Sequence, residues 1–155
     1  YLDYVKISTN QIAGFALVHG QTVRMEPRAL LTYSSGHQDP GYEADKNPTR
    51  HIYLLMNNFS EGKDTDFYPY WDNQVYLSIS NPDILGSFYI NSKGEALLML
   101  CNLSELDTTI NITFNKPNGG ISKIEDHFLN TGIPVNGNTF SVDLYGQGYR
   151  ILWVK

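Results

Sequence analysis

A chain of 155 residues, 41% hydrophobic and 17% charged, is the size of one ordinary domain and can bury a real core. The net charge of −5 and singly scattered lysines and arginines exclude the basic stripe that a nucleic acid or an anionic membrane surface requires. No apolar run reaches transmembrane length, no signal peptide is visible, and the one cysteine, Cys101, has no partner for a disulfide or a zinc site.

Taken in order, the chain opens at Tyr1 inside a strand-like pattern and reads as a piece of something longer. "DYVKIS" and "GFALVHG" are strand candidates, and "TVRMEPRALLTYSS" is a strand or a strand leading into a short helix. "SSGHQDPGYEADKNPT" is a long polar loop, uncommon in a compact domain and often functional. "HIYLLMNNF" is too short for periodicity to separate strand from buried helix, and "SEGKDTD" marks a boundary.

From Asp66 onward the pattern is regular and β. "QVYLSIS" places Val75, Leu77 and Ile79 on one face, and "GSFYIN" and the turn "SKG" follow. "EALLMLCNL" is apolar on both faces, as a central strand covered on each side should be. "TTINITF" alternates, with Ile110, Ile112 and Phe114 inward. "KPNGG" is a turn; "SKIEDHF", "NTFSVDL" and "GYRILWV" complete the series, with "NTGIPVNG" and "YGQG" between them. The expected fold is all-β, an antiparallel β-sandwich over residues 67–155. It is preceded over residues 1–66 by a less regular segment of strands and a long loop.

Two readings fit "FYPYWDNQ", residues 67–74. Tyr68, Tyr70 and Trp71 are suited to stack on a sugar while Asp72, Asn73 and Gln74 bind its hydroxyls. The same rings are suited to wedge into a seam between two domains, and Pro69 makes the stretch an edge or linker segment. The acidic residues Asp39, Glu43 and Asp45 of the long loop are candidates for a hydrolytic pair, although solvated loop charge explains them as well. A glycosidase pair needs a separation of about 5–10 Å that a sequence does not show. His19 ends "GFALVHG", where a strand delivers a side chain to a sheet edge. It shares no metal-ligand spacing with His37, His51 or His127, so no metal site is expected. No nucleotide-binding or nucleophile motif is present, and no cofactor is expected.

"FYPYWDNQ", "SFYINSKGEALLMLCNLSELDTTINITFN" and "FSVDLYGQGYRILWVK" together resemble the C-terminal β-sandwich domains that follow the catalytic barrel in many glycoside hydrolases. The style is that of glycoside hydrolase family 123 and its relatives in gut Bacteroidetes. The resemblance covers residues 67–155 and implies an accessory domain with no catalytic residue of its own, packed on a catalytic domain of the same polypeptide. It implies an exported, periplasmic or cell-surface protein. Residues 1–66 are then the tail of the preceding barrel, with His19, Arg24 and Glu26 bordering its cleft, or extra strands of the sandwich. A complete barrel takes about 250 residues, more than this chain holds. The expected partners are that catalytic domain and an oligo- or polysaccharide, without nucleic acid or membrane insertion. A free-standing carbohydrate-binding module using residues 67–74 is the alternative, and a small independent glycan hydrolase the third reading.

Overall fold

The computed structural model describes residues 55–127, 129–146 and 148–155. The N-terminal strand candidates, the long loop and the residues His19, Arg24, Glu26, Asp39, Glu43 and Asp45 lie outside them.

Residues 55–60 are helical. Nine strands follow: β1 (Asp66–Tyr68), β2 (Leu77–Ile79), β3 (Ile84–Ile90), β4 (Ala96–Asn102), β5 (Thr108–Phe114), β6 (Ile124–Asp126), β7 (Thr131–Ile133), β8 (Thr139–Leu144) and β9 (Tyr149–Val154). They form a six-stranded sheet in the order β1-β3-β4-β9-β6-β7 and a three-stranded sheet in the order β2-β5-β8. Every pairing among the described residues is antiparallel, as expected of an all-β fold.

The main core lies between the sheets. Phe88, Leu98, Leu100 and Leu152 of the larger sheet meet Ile110, Ile112, Phe114, Phe140 and Val142 of the smaller, all buried. Burying each such side chain contributes about 1.5–3 kcal/mol before the cost of ordering it. Gly86 of β3 lies against the smaller sheet and the chain around β2. A methyl group there would stand 2.8 Å from both Ile79 Cδ1 and Leu77 Cδ2, so those side-chain tips would have to shift to admit it.

β4 is buried at all seven positions. Its even-numbered residues face the sandwich core, whereas Leu97 and Met99 join Tyr89, Tyr149 and Ile151 in a second cluster on the opposite face. Leu55 and Phe59 of the helical segment pack into that cluster. Asn91, at the end of β3, fixes the segment by donating its amide to the Phe59 carbonyl at 3.0 Å. β5 and β8 are covered on one face only. Their outward positions carry Thr109, Asn111, Ser141 and Asp143, joined by Thr109 Oγ1 to Asp143 Oδ1 (2.6 Å) and Ser141 Oγ to Asn111 Oδ1 (2.8 Å).

Two details differ from the expectation. Val75 does not share a strand face with Leu77; it precedes β2 and is exposed, because the backbone bends there, with Tyr76 and Leu77 N–H groups both donating to the Asn73 carbonyl. The separator "NTGIPVNG" contains a strand of its own, β7, which extends the large sheet beyond β6.

Candidate functional site

Among the described strands β1 is an edge strand, in keeping with Pro69 just beyond it. Its register places Phe67 opposite Tyr89 and Tyr68 opposite Phe88. Because successive side chains of a strand point to opposite faces, the two rings separate. Phe67 stacks on Tyr89 on the outer face with centroids 4.6 Å apart, and Tyr68 stacks on Phe88 toward the core at 4.6 Å and 7°. Cross-strand aromatic pairs of this kind contribute about 0.2–1 kcal/mol each.

Asn73 is 3% exposed, and its amide donates to the Tyr68 carbonyl at 3.2 Å and the Gly86 carbonyl at 2.9 Å. Both amide hydrogens are thereby spent on closing the bend. Gln74 donates to the Tyr70 carbonyl at 2.8 Å, and the Tyr70 amide donates to Ser87 Oγ at 2.9 Å. Trp71 and Asp72 are exposed, with the Tyr70 and Trp71 rings edge to face at 5.0 Å and 86°. The octapeptide therefore divides. Phe67, Tyr68 and Asn73 build the edge of the sandwich, while Tyr70, Trp71, Asp72 and Gln74 form its outward side.

The pairings bring more to this end of the molecule than the octapeptide. The ends of β1, β4 and β6 and the starts of β3, β9 and β7 all lie at one end of the large sheet. Connections at that end carry Trp71 (55% exposed), Leu103 (44%), Leu106 (75%), Leu129 (48%) and Tyr145 (58%). These are all but one of the large hydrophobic residues exposed among the described residues, the other being Val75.

Two buried polar anchors hold this apolar end. Asn102, fully buried at the tip of β4, donates to the Leu106 carbonyl at 2.9 Å and the Tyr145 carbonyl at 3.0 Å, and accepts from the Ser104 amide and hydroxyl. Beside it, Gly146 lies so near the next connection that a Cβ would stand 2.1 Å from the Glu105 carbonyl oxygen, and its N–H donates to Asp107 Oδ1 at 2.8 Å. The second anchor is Arg150, 2% exposed. Its Nε stands 3.5 Å from Asp126 Oδ2 and its guanidinium lies 5.1 Å from the Tyr145 ring centre. Asp126 Oδ1 in turn accepts from the Leu129 amide at 2.9 Å.

This chemistry holds and packs. Asp126 is the one buried carboxylate among the described residues, and it is committed to Arg150. Burial pushes the Cys101 thiol up to about 12, so it carries no thiolate near neutrality. Burial also pushes the Tyr149 phenol up to about 12, against the opposing charge of Arg150. No group of three or more potential metal ligands occurs among the described residues.

Sequence reasoning missed Leu103, Leu106, Leu129 and Tyr145. The signals available were the Asn-Leu-Ser ending of β4 and the glycines of "YGQG", but only strand pairing brings them to one end.

No family model and no curated protein matches the chain. Among solved structures it is similar to α-galactosidase I of Mortierella vinacea, with 15% identity and a TM-score of 0.48 over 70% of this chain and 28% of that one. It is similar to a glycoside hydrolase family 30 subfamily 8 xylanase of Clostridium acetobutylicum, with 16% identity and a TM-score of 0.44 over 74% and 30%. A family 27 β-L-arabinopyranosidase of Geobacillus stearothermophilus shows 10% identity and a TM-score of 0.42 over 48% and 18%. These neighbours are glycoside hydrolases, each matched over part of the chain, and the chain spans less than a third of their length.

Proposed function

We propose that this chain is an accessory, non-catalytic β-sandwich of a carbohydrate-active protein, docked by the apolar end of its large sheet onto a neighbouring catalytic domain of the same polypeptide. The observation that carries the reading is the gathering of Trp71, Leu103, Leu106, Leu129 and Tyr145 at one end, on connections fixed by buried anchors. An apolar surface on a rigid support is what a domain interface needs, whereas scattered single hydrophobics would need no explanation. The carbohydrate context, and the likeness in style to family 123, come from the sequence resemblance of residues 67–155.

The alternative, a free-standing carbohydrate-binding module, draws on the exposure of Trp71 beside Asp72 and Gln74. The edge-to-face setting of Tyr70 and Trp71 favours the docking role, since two rings at 86° present no common plane to a sugar. An independent hydrolase would draw on Asp39, Glu43 and Asp45.

Leu106→Ser with Leu129→Ser tests the docking. In the natural polypeptide the pair lowers the melting temperature, while in this chain alone, where both side chains already meet water, it leaves the melting temperature unchanged. Equal effects in the two settings overturn the reading. Cleavage of aryl glycosides by this chain alone contradicts the non-catalytic assignment.

A further inference from the structure

The three-stranded sheet carries a groove that the docking role does not use. It has a volume of about 570 Å³ and is lined by residues 111–113 of β5, residues 139–141 of β8 and the crossover at residues 134–136. That volume falls within the range of about 300–1,000 Å³ usual for small-molecule sites. The polar lining consists of Asn111, Thr113, Asn136, Thr139 and Ser141, and the apolar wall includes Pro134 and Val135. None of the lining residues is charged.

We infer that this groove is a binding site for a neutral polyhydroxyl ligand, a short stretch of saccharide chain. Its hydroxyls would meet the Asn, Thr and Ser groups, and its C–H face would lie on Pro134 and Val135. The proposal rests on three observations.

The lining offers both donors and acceptors. Asn111 uses Oδ1 to accept from Ser141, and no described residue hydrogen-bonds its Nδ2, the Thr113 hydroxyl or the Asn136 side-chain amide. A ligand hydroxyl both donates and accepts, so it can satisfy such a mixed set where a purely anionic or cationic group cannot. An ion entering the groove would lose water without gaining a counter-charge from the lining.

The second observation is rigidity. The outward side chains stand on paired strands, with Asn111 opposite Ser141 and Thr113 opposite Thr139 in register. The crossover is pinned by the Asn136–Thr139 bridge, reinforced by Thr139 Oγ1 donating to the Asn136 carbonyl at 2.9 Å. Groups already held in place lose little freedom when a ligand arrives.

Third, the groove lies away from the apolar end. β5 ends and β8 begins beside it, and just past β5 Lys116 Nζ donates to the carbonyl of Gly94, in the β3–β4 hairpin at the far end of the large sheet. A body covering Leu106 and Tyr145 leaves the groove open. The site does not rest on the docking role, and the two fail separately because their tests read different residues.

A peptide strand added along β8 is the competing occupant. The Asn136–Thr139 bridge closes the start of that edge, and Pro134 has no N–H to offer, so the saccharide is favoured.

The test is titration of the ¹⁵N-labelled chain with neutral gluco-, galacto-, xylo- and manno-oligosaccharides up to millimolar concentration, with a neutral extended peptide in parallel. Saturable shifts of the amides at 111–113 and 139–141 with at least one saccharide are expected. Affinity falls at least tenfold in Asn111→Ala/Asn136→Ala. Thr113→Val, which removes a hydroxyl and keeps the shape, weakens binding with the spectrum otherwise unchanged, so a folding defect in the double variant does not decide the outcome. No saturable shift with any saccharide, shifts confined to residues 70–75, or occupation of the groove by the peptide alone overturns the proposal.

Discussion

The two sheets of this sandwich solve opposite problems. The six-stranded sheet is apolar on both faces: one meets the smaller sheet, and the other buries Leu97, Met99 and Tyr149 with Leu55 and Phe59. The three-stranded sheet is apolar on one face and offers hydroxyls and amides on the other. The larger sheet is thus covered on both faces, with exposed apolar side chains on its connections at one end, and the smaller is an outer wall facing water. One fold supplies an end that exposes apolar side chains and a polar face that meets water.

Substitutions that separate the two roles sharpen the comparison. The largest effect belongs to the buried ion pair of the apolar end. Asp126→Ala leaves Arg150 charged in a site that is 2% exposed, and a loss of about 3–5 kcal/mol is expected from chemical denaturation. Leu97→Ala, on the outward face of β4, costs about 2–5 kcal/mol if that face is an internal layer. A loss as small as that of a surface change would break the distinction between the sheets. Gly86→Ala forces a methyl against Leu77 and Ile79 where the sheets meet and costs about 1–3 kcal/mol, read as a lower denaturation midpoint at unchanged slope.

The smallest effect concerns Glu125. Its carboxyl is held down to about 2 from an ordinary value of 4.5, by hydrogen bonds from Lys123 first and Lys155 second. A folded-state value below the unfolded one gives stability that is full above about pH 4.5 and lost as pH falls toward about 2. Glu125→Gln therefore costs at most about 1 kcal/mol at neutral pH, as surface ion pairs do, and the gap from the unaltered chain closes across that acid window.

Much of this was legible from residues 66 onward, because burial writes itself into alternation. "TTINITF" alternates and lies on a half-covered sheet; "EALLMLCNL" does not alternate and lies in a doubly covered one. The positive φ of Asn118 and Gly119 answers the "KPNGG" turn. The short apolar run ending in "NNF" was ambiguous because helix and strand bury it equally, and its described part is helical. The aromatic octapeptide was read as one unit, yet strand geometry turns Phe67 and Tyr68 to opposite faces and the bend spends Asn73 on backbone carbonyls. The anchors Asn102 and Arg150–Asp126 were not legible, since their partners are 43 and 24 residues away in sequence and meet only through the pairing of β4, β9 and β6.

The proposed docking predicts that a neighbouring catalytic domain covers the apolar end of the large sheet. Oxidative footprinting of Leu103, Leu106, Leu129 and Tyr145 tests it directly, comparing this chain alone with a polypeptide that carries the proposed catalytic domain as well. Strong labelling in the chain alone and protection in the longer polypeptide is the predicted result. Equal labelling of all four side chains in both would contradict it.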